Sequence, residues 1–108
     1  MSVRSFKDLQ DEVFRLYNAH AYQESLALID REAARFAAHG SDLYYWRACL
    51  ACRAEGAEAG LRWLQEAADR GLWYHERMLQ DPDLAPLRDD RRLTPLLAVF
   101  RERREAVQ

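Results

Sequence analysis

Apolar residues recur along the chain at intervals of three and four positions, which is the spacing of amphipathic helices. The first such stripe follows Ser5, a residue type that caps helix N-termini, and a first helix is therefore predicted to end near Asn18. A second helix is predicted to stop at Gly40, because glycine is typical just after a helix C-terminus. The two stripes consist of Phe6, Leu9, Val13 and Leu16, and of Tyr22, Leu26, Ile29, Ala33 and Phe36.

The third predicted helix is the most apolar segment of the chain. Ser41 and Asp42 are expected to cap it, and it should run from residue 43 to about residue 54 with Arg47 as its only charge before Arg53. A helix that is apolar on nearly every side is buried on several faces, so we expect it at the centre of the fold. A fourth stripe begins after Gly56, closes at Gly71 and consists of Ala57, Leu61, Leu64 and Ala68.

The last third of the chain differs from the rest in its proline and aspartate content. The stretch DPDLAPLRDD (81–90) places two prolines among aspartates, so a long helix cannot cross it. Before it, residues 74–80 are predicted to form a short helix. After it, a last amphipathic helix should carry Pro95 in its first turn, where proline is tolerated, and its apolar residues are Leu93, Leu96, Leu97 and Phe100.

Length and charge limit the kinds of partner. The 108 residues fit one domain, and the net charge of −2 results from 15 arginines and one lysine dispersed among 18 acids. No polybasic face is therefore expected, and nucleic acid is not an expected partner. The N-terminus lacks the apolar run of a signal peptide, and no segment reaches the ~18 apolar residues of a membrane span, so we expect a cytoplasmic protein without a membrane partner.

The first two predicted helices match the next two when the sequence is shifted by 35 or 36 residues. Under this shift Ser25 matches Gly60 and Ile29 matches Leu64. Two helices per unit, a period near 34, small residues where helices cross and the glycine turn at Gly56 together resemble a tetratricopeptide repeat. The C-terminal DPDLAPLRDD and the apolar helix after it look like the segment that often closes bacterial arrays of this repeat.

The resemblance implies an all-α fold, a right-handed array of antiparallel helix pairs within a single domain over residues 1–108. The first pair would cover 5–39, the second pair 41–71, and a capping segment with a terminal helix 72–108. In such an array the last repeat exposes an apolar face that needs covering. The leucines of the tail and Phe100 would supply this cover.

Cys49-x-x-Cys52 is the most conspicuous candidate for chemistry. A redox motif of this spacing lies at a helix N-terminus after a strand, whereas this pair lies in the middle of a predicted helix. Structural zinc needs four ligands, and the remaining candidates are scattered without paired spacing: His20, His39 and His75. We therefore predict that both cysteines are small core contacts, and we expect neither a metal nor a cofactor.

One set of residues is a candidate binding surface. The resemblance implies that the first helix of each pair lines a concave side, and this face would carry Gln10, Phe14, Tyr17, Trp46, Leu50 and Arg53, with Asn18 and Arg47 beside them. Aromatic rings with arginines suit an amphipathic peptide or helix of a partner protein. Arg47 and Arg53 have no carboxylate four residues away, which favours an acidic partner. The alternative is that these aromatic residues are simply core.

Three hypotheses of function remain at this point. The first is a protein-interaction or scaffolding module that binds a partner's peptide and has no catalysis of its own. The second is an accessory or self-associating domain of a larger bacterial system, in which Trp73, Tyr74 and Phe100 form a homodimer interface. An enzyme ranks last, because the sequence shows no convergent set of polar residues.

Overall fold

The computed structural model describes residues 3–72, 81–87 and 90–107. No strand occurs within these ranges, which confirms the all-α class, and none of their helices is long and apolar enough to cross a membrane. The helix predicted over residues 74–80 lies outside the described residues. The α-helices are α1 (Phe6–Asn18), α2 (Tyr22–Glu32), α3 (Gly40–Glu55), α4 (Ala57–Asp69) and α5 (Leu93–Val107), and 3₁₀ segments cover Ala33–His39 and Pro82–Leu87.

The first helix begins and ends where the apolar spacing predicts. The hydroxyl oxygen of Ser5 accepts a hydrogen bond of 3.1 Å from the backbone N–H of Asp8, which satisfies one of the free donors of the first turn. Beyond Asn18 the chain reverses through His20, whose φ of 60° lies in the left-handed region that glycine usually occupies. This turn sets α2 against α1.

The second helix ends earlier than the sequence predicts. α2 stops at Glu32, the segment after it is broken at Phe36 (φ −122°, ψ 38°), and α3 already begins at Gly40. The predicted helix stop at Gly40 is therefore wrong. The N-cap residue of α3 is His39, and Ser41 and Asp42 lie inside the helix, so the predicted cap by these two residues is wrong as well.

Aromatic packing accounts for this bend. The ring of His39 stacks on the ring of Phe6 with centres 3.7 Å apart, and Phe36 meets the same ring edge-on at 5.9 Å. Offset and edge-on ring pairs are favourable arrangements. Both residues thus turn back to α1, a tertiary contact that helical spacing does not reveal.

The third helix lies at the centre, as its apolar character predicts. Leu50 and Ala51 are buried with the residues of α1 and α2, whereas Ala48 and Cys52 are buried with those of α4. α3 therefore separates two halves of the core.

Two small residues permit close helix contacts. A methyl group on Gly60 would lie 3.0 Å from Cβ of Cys52 and 3.3 Å from the carbonyl oxygen of Ala48, so α4 approaches α3 closely at this point. Ser25 is fully buried, and its hydroxyl donates to the carbonyl oxygen of Val13 at 3.2 Å. A larger side chain at either position would separate the helices.

The C-terminal part of the chain packs on α3 and α4. Its buried members, which join the core of those helices, are Leu84, Leu87, Leu93, Leu96 and Phe100. Phe100 is 1% exposed, so the expectation that it contributes to a homodimer surface is wrong. Trp73 and Tyr74, the other residues of that expectation, lie outside the described residues.

Candidate functional site

A pocket of about 580 Å³ opens between α1, α3 and the start of the Pro82–Leu87 segment. We call it the aromatic pocket, because four aromatic rings and two carboxylates contribute to its wall. Its lining residues are Val13, Phe14, Tyr17, Asn18, Tyr45, Trp46, Cys49, Leu50, Asp81, Pro82 and Asp83. A cavity of this size accommodates side chains of a peptide or a small molecule.

Five of the eight residues of the predicted binding surface line this pocket: Phe14, Tyr17, Asn18, Trp46 and Leu50. They come together because helical spacing places the α1 residues on one face and α3 packs beside α1. The remaining three, Gln10, Arg47 and Arg53, are not among the lining residues.

The rings at the pocket differ in burial. Phe14 is 42% exposed and meets the ring of Trp46 edge-on with centres 5.6 Å apart. Trp46 in turn stacks on Phe6 at 5.4 Å. Leu50, at 2% exposure, is a core residue that also lines the pocket. The predicted surface is therefore partly pocket and partly core.

Arg53 has a partner that its own helix does not supply. Its Nε donates to Oδ1 of Asp83 at 2.8 Å, and its guanidinium lies 5.7 Å from the centre of the Tyr22 ring. The premise that this arginine lacks an ion-pair partner is wrong, because the partner comes from a distant part of the chain.

Arg47 is also paired, on another side of α3. Its Nη2 lies 3.0 Å from Oδ1 of Asp30, and its guanidinium stands 4.7 Å from the ring centre of Trp63 and 5.4 Å from that of Tyr44. Arg47 is buried to 9% exposure, so it belongs to the packing of α3 with its neighbours. The argument for an acidic partner, which rested on two unpaired arginines, therefore fails.

Asp81 and Asp83 are the site residues that the sequence analysis missed. Oδ2 of Asp81 accepts from the hydroxyl of Tyr45 at 2.8 Å and from the thiol of Cys49 at 3.8 Å. Oδ1 of Asp81 accepts from the backbone N–H of Asp83 at 2.9 Å, a local turn bond that aspartate commonly makes. The Asp-Pro-Asp sequence signals this turn, but it does not signal which helices the turn meets.

Asp83 connects α1 and α3. Its Oδ1 accepts from the hydroxyl of Tyr17 at 2.7 Å as well as from Arg53. The bond to the carboxylate stabilises the protonated phenol and raises the pKa of Tyr17 above its ordinary value. The hydroxyl therefore acts as a donor that positions the carboxylate.

The cysteines remain thiols at neutral pH. Burial is the main cause that raises the pKa of Cys49, and the negative charges of Asp81 and Asp83 raise it further. Burial also raises the pKa of Cys52. Because the thiolate is the reactive form, these residues are poor nucleophiles, which agrees with the prediction of core contacts.

Cys49, Asp81 and Asp83 also bring three potential metal-ligand atoms within 4.8 Å of one another. A metal would require the thiolate form of Cys49. In this structure the thiol of Cys49 donates to Asp81, and tyrosine hydroxyls donate to both carboxylates. Hydrogen bonds therefore occupy each of these three groups.

Comparison with known proteins corrects the sequence-based recognition. A family model described as "A/B hydrolase-like, N-terminal domain" matches residues 5–108, whereas no curated protein and no solved structure matches the chain. The identification as a tetratricopeptide-repeat scaffold is wrong. Paired helices with small residues at their crossings are common to many helical folds, so those signals did not single out one family.

The same match overturns the expectation that the chain is not an enzyme. The family is related to hydrolases, and the matching region is the N-terminal domain. That expectation rested only on the catalytic groups that these 108 residues offer. A relationship to a hydrolase does not require those groups to lie here.

Proposed function

This chain belongs to the A/B hydrolase-like, N-terminal domain family, and we propose that it is a helical domain that works beside a hydrolase catalytic domain and binds a protein segment in the aromatic pocket. In the α/β-hydrolase fold the nucleophile lies on a turn between a strand and a helix. The described ranges of this chain are helical. The aromatic pocket is therefore the part of this helical domain that we propose as its binding site.

The observation that best supports this proposal is the exposed ring of Phe14. It is the large hydrophobic side chain that is exposed within the described ranges, and it stands at the aromatic pocket against Trp46. Aromatic residues are enriched at protein interfaces, where they bury a large area at a small entropic cost. An exposed phenylalanine beside a pocket therefore favours a protein segment as the occupant.

The fold supports this role by fixing the pocket walls. Tyr17 and Arg53 hold Asp83, and Tyr45 holds Asp81, so hydrogen bonds join α1 and α3 to the turn. Walls that are positioned before binding reduce the ordering cost that association must overcome. The pocket is thus suited to a specific occupant.

Photocrosslinking tests the proposal. A photoreactive amino acid replaces Phe14 in the full chain, and in a control it replaces Arg101, an exposed residue of α5 outside the pocket lining. After irradiation in the source cells, mass spectrometry should identify a polypeptide with a hydrolase catalytic domain at position 14 and not at position 101. A crosslink only to a second copy of the chain, or none at all, would overturn the proposal.

A further inference from the structure

Another pocket, of about 400 Å³, opens where α3 and α4 lie side by side. We call it the arginine pocket, because three guanidinium groups contribute to its wall. It shares no lining residue with the aromatic pocket, so the two are separate sites. Its lining residues are Tyr44, Arg47, Arg62, Trp63, Glu66 and Arg70.

Aromatic rings position two of the three guanidinium groups. The guanidinium of Arg47 lies 4.7 Å from the ring centre of Trp63 and 5.4 Å from that of Tyr44. The guanidinium of Arg70 lies 5.4 Å from the centre of the same Tyr44 ring. Aromatic faces attract cations at these distances. Both groups are therefore held at the pocket before a ligand binds, which reduces the ordering cost of binding.

The charge of Arg47 is held in an unfavourable position. The residue is 9% exposed, and its Nε is buried without a hydrogen-bond partner among the described residues. Its ion-pair partner Asp30 has a side chain that is 59% exposed, so solvent weakens the pairing. A buried cation is stable only where groups of opposite charge compensate it. An anion in the arginine pocket would add to this compensation.

Arg62 is the arginine of the lining whose hydrogen-bonding capacity is unused. It is exposed, and no acceptor in the described part of the chain bonds to its guanidinium. The acids one turn before and after it on α4 are paired elsewhere, since Glu58 bonds to Arg92 and Glu66 bonds to Arg70. The N–H donors of Arg62 are therefore available to a ligand.

A phosphate group matches this set of donors better than a carboxylate does. Phosphate on a monoester carries nearly two negative charges at neutral pH and three strong acceptor oxygens. The planar fork of a guanidinium suits bidentate bonds to phosphate, which makes arginine a preferred residue for binding it. Three guanidinium groups around one pocket thus favour the anion with more oxygens and more charge.

We infer that the arginine pocket binds a phosphate group, either free phosphate or the ester of a small molecule. This role goes beyond the protein segment proposed for the aromatic pocket. The volume lies within the range of small-molecule sites, which is roughly 300–1,000 Å³. The inference does not require an unpaired Arg47, because it follows from three arginines that meet at one pocket.

Three small anions test the class of ligand: inorganic phosphate, phenyl phosphate and benzoate. The last two carry the same ring and differ in the anionic group. Each is titrated into the full chain at constant ionic strength, while NMR records the indole N–H signals of Trp63 at the arginine pocket and Trp46 at the aromatic pocket. We expect phenyl phosphate to shift the signal of Trp63 and not that of Trp46, with a Kd of about 1 mM or tighter. Benzoate should bind about tenfold more weakly.

The same titrations distinguish the two sources of phosphate. Tighter binding of phenyl phosphate than of inorganic phosphate would identify an ester as the ligand, and equal binding would identify the free ion. Equal affinity for phenyl phosphate and benzoate would overturn the inference. A shift of Trp63 that does not saturate, or a saturable shift of Trp46 alone, would overturn it as well.

Three variants locate the effect. Arg62→Gln, at an exposed position, should weaken the binding of phenyl phosphate about tenfold or more. Glu66→Gln should strengthen it, because this change removes a carboxylate from the lining and frees Nε of Arg70. Arg101→Gln, at an exposed position of α5, is the control for net charge and should leave the affinity unchanged. Equal weakening by Arg62→Gln and Arg101→Gln, or weaker binding to Glu66→Gln, would overturn the assignment to this pocket.

Discussion

The hydroxyl of Tyr17 on α1 donates a hydrogen bond of 2.7 Å to Oδ1 of Asp83, which lies 66 residues further along the chain. Nε of Arg53 on α3 donates to the same oxygen at 2.8 Å. One carboxylate oxygen thus joins two helices to the turn that begins near Asp81. The shape of the aromatic pocket depends on this junction, because all three parts contribute to its wall.

Reversing the charge of Arg53 should destabilise the fold. Arg53→Glu places a carboxylate against Asp83, whose side chain is only 13% exposed, so repulsion replaces an ion pair. We expect a lower melting temperature in thermal denaturation followed by circular dichroism, and partial recovery in the double variant Arg53→Glu with Asp83→Arg. Arg101→Glu, at an exposed position, serves as the control. If Arg53→Glu melts like the wild type, the ion pair is not part of the folded structure.

The helix bounds could be predicted where local spacing determines them. α1 ends at Asn18, and Pro95 lies in the first turn of α5, both as the apolar pattern and the known proline preference indicate. The end of α2 could not be predicted in this way. It depends on Phe36 and His39 meeting Phe6, about thirty residues earlier in the sequence, and such contacts override helix propensity.

In the candidate site too, the residues placed by local helix spacing could be predicted, whereas those placed by distant contacts could not. Phe14 and Trp46 were predicted because each lies on a helix face that the sequence periodicity defines. Asp81 and Asp83 were missed because their partners Tyr45 and Tyr17 are distant in the sequence. The family itself could not be recognised from pair spacing, since that spacing expresses helix packing shared by unrelated folds.

The two cysteine thiols should react slowly with alkylating reagents. A raised pKa leaves less thiolate at any given pH, and burial, the first cause for Cys49, also blocks access. At pH 8 we expect iodoacetamide to label Cys49 and Cys52 far more slowly in the native chain than in urea, as measured by mass spectrometry. Labelling at the rate of an unfolded peptide would contradict the buried placement.

Removing both thiols should affect stability and leave pocket binding intact. Cys49→Ala with Cys52→Ala deletes buried sulfur atoms, and we expect a loss of about 1–3 kcal/mol in the free energy of unfolding. The crosslink from position 14 should still form in the folded variant. Loss of binding without loss of stability would instead assign the thiols a direct role at the pocket.

Adding one methyl group to Gly60 should destabilise the chain. The new Cβ would lie 3.0 Å from Cβ of Cys52, so α3 and α4 must shift relative to each other at this contact. We expect this overpacking to cost about 2 kcal/mol, which is more than the gain of about 1 kcal/mol in helix propensity. Gly40→Ala is the matched control, because Gly40 has helical φ and nothing lies within 4 Å of its added methyl group. Urea denaturation should show opposite signs for the two variants. Equal stabilisation would contradict the close contact.

Arg103 should anchor α5 to the end of α4. Its Nη1 donates to the carbonyl oxygen of Ala68 in the last turn of α4 at 2.6 Å and to that of Leu72, just beyond the helix, at 2.9 Å. We expect Arg103→Ala to cost about 1–3 kcal/mol in urea denaturation, because these bonds involve a charged donor. Arg101→Ala, at an exposed position of the same helix, should change stability little. Equal effects of the two variants would show that α5 is held by its apolar face alone.

Removing the C-terminal part should expose the core that it covers. A chain ending at Asp81 lacks α5 and the leucines before it. Those residues share one core with Leu64 of α4 and with Ala48 and Cys49 of α3. Exposed apolar patches of this kind promote association, so we expect aggregation or binding of a hydrophobic dye. A chain ending at Arg104 keeps Phe100 and Arg103 and should stay folded, which controls for truncation itself. If the shorter chain is monomeric by light scattering and melts as cooperatively as the full chain, then α3 and α4 form a stable core without α5.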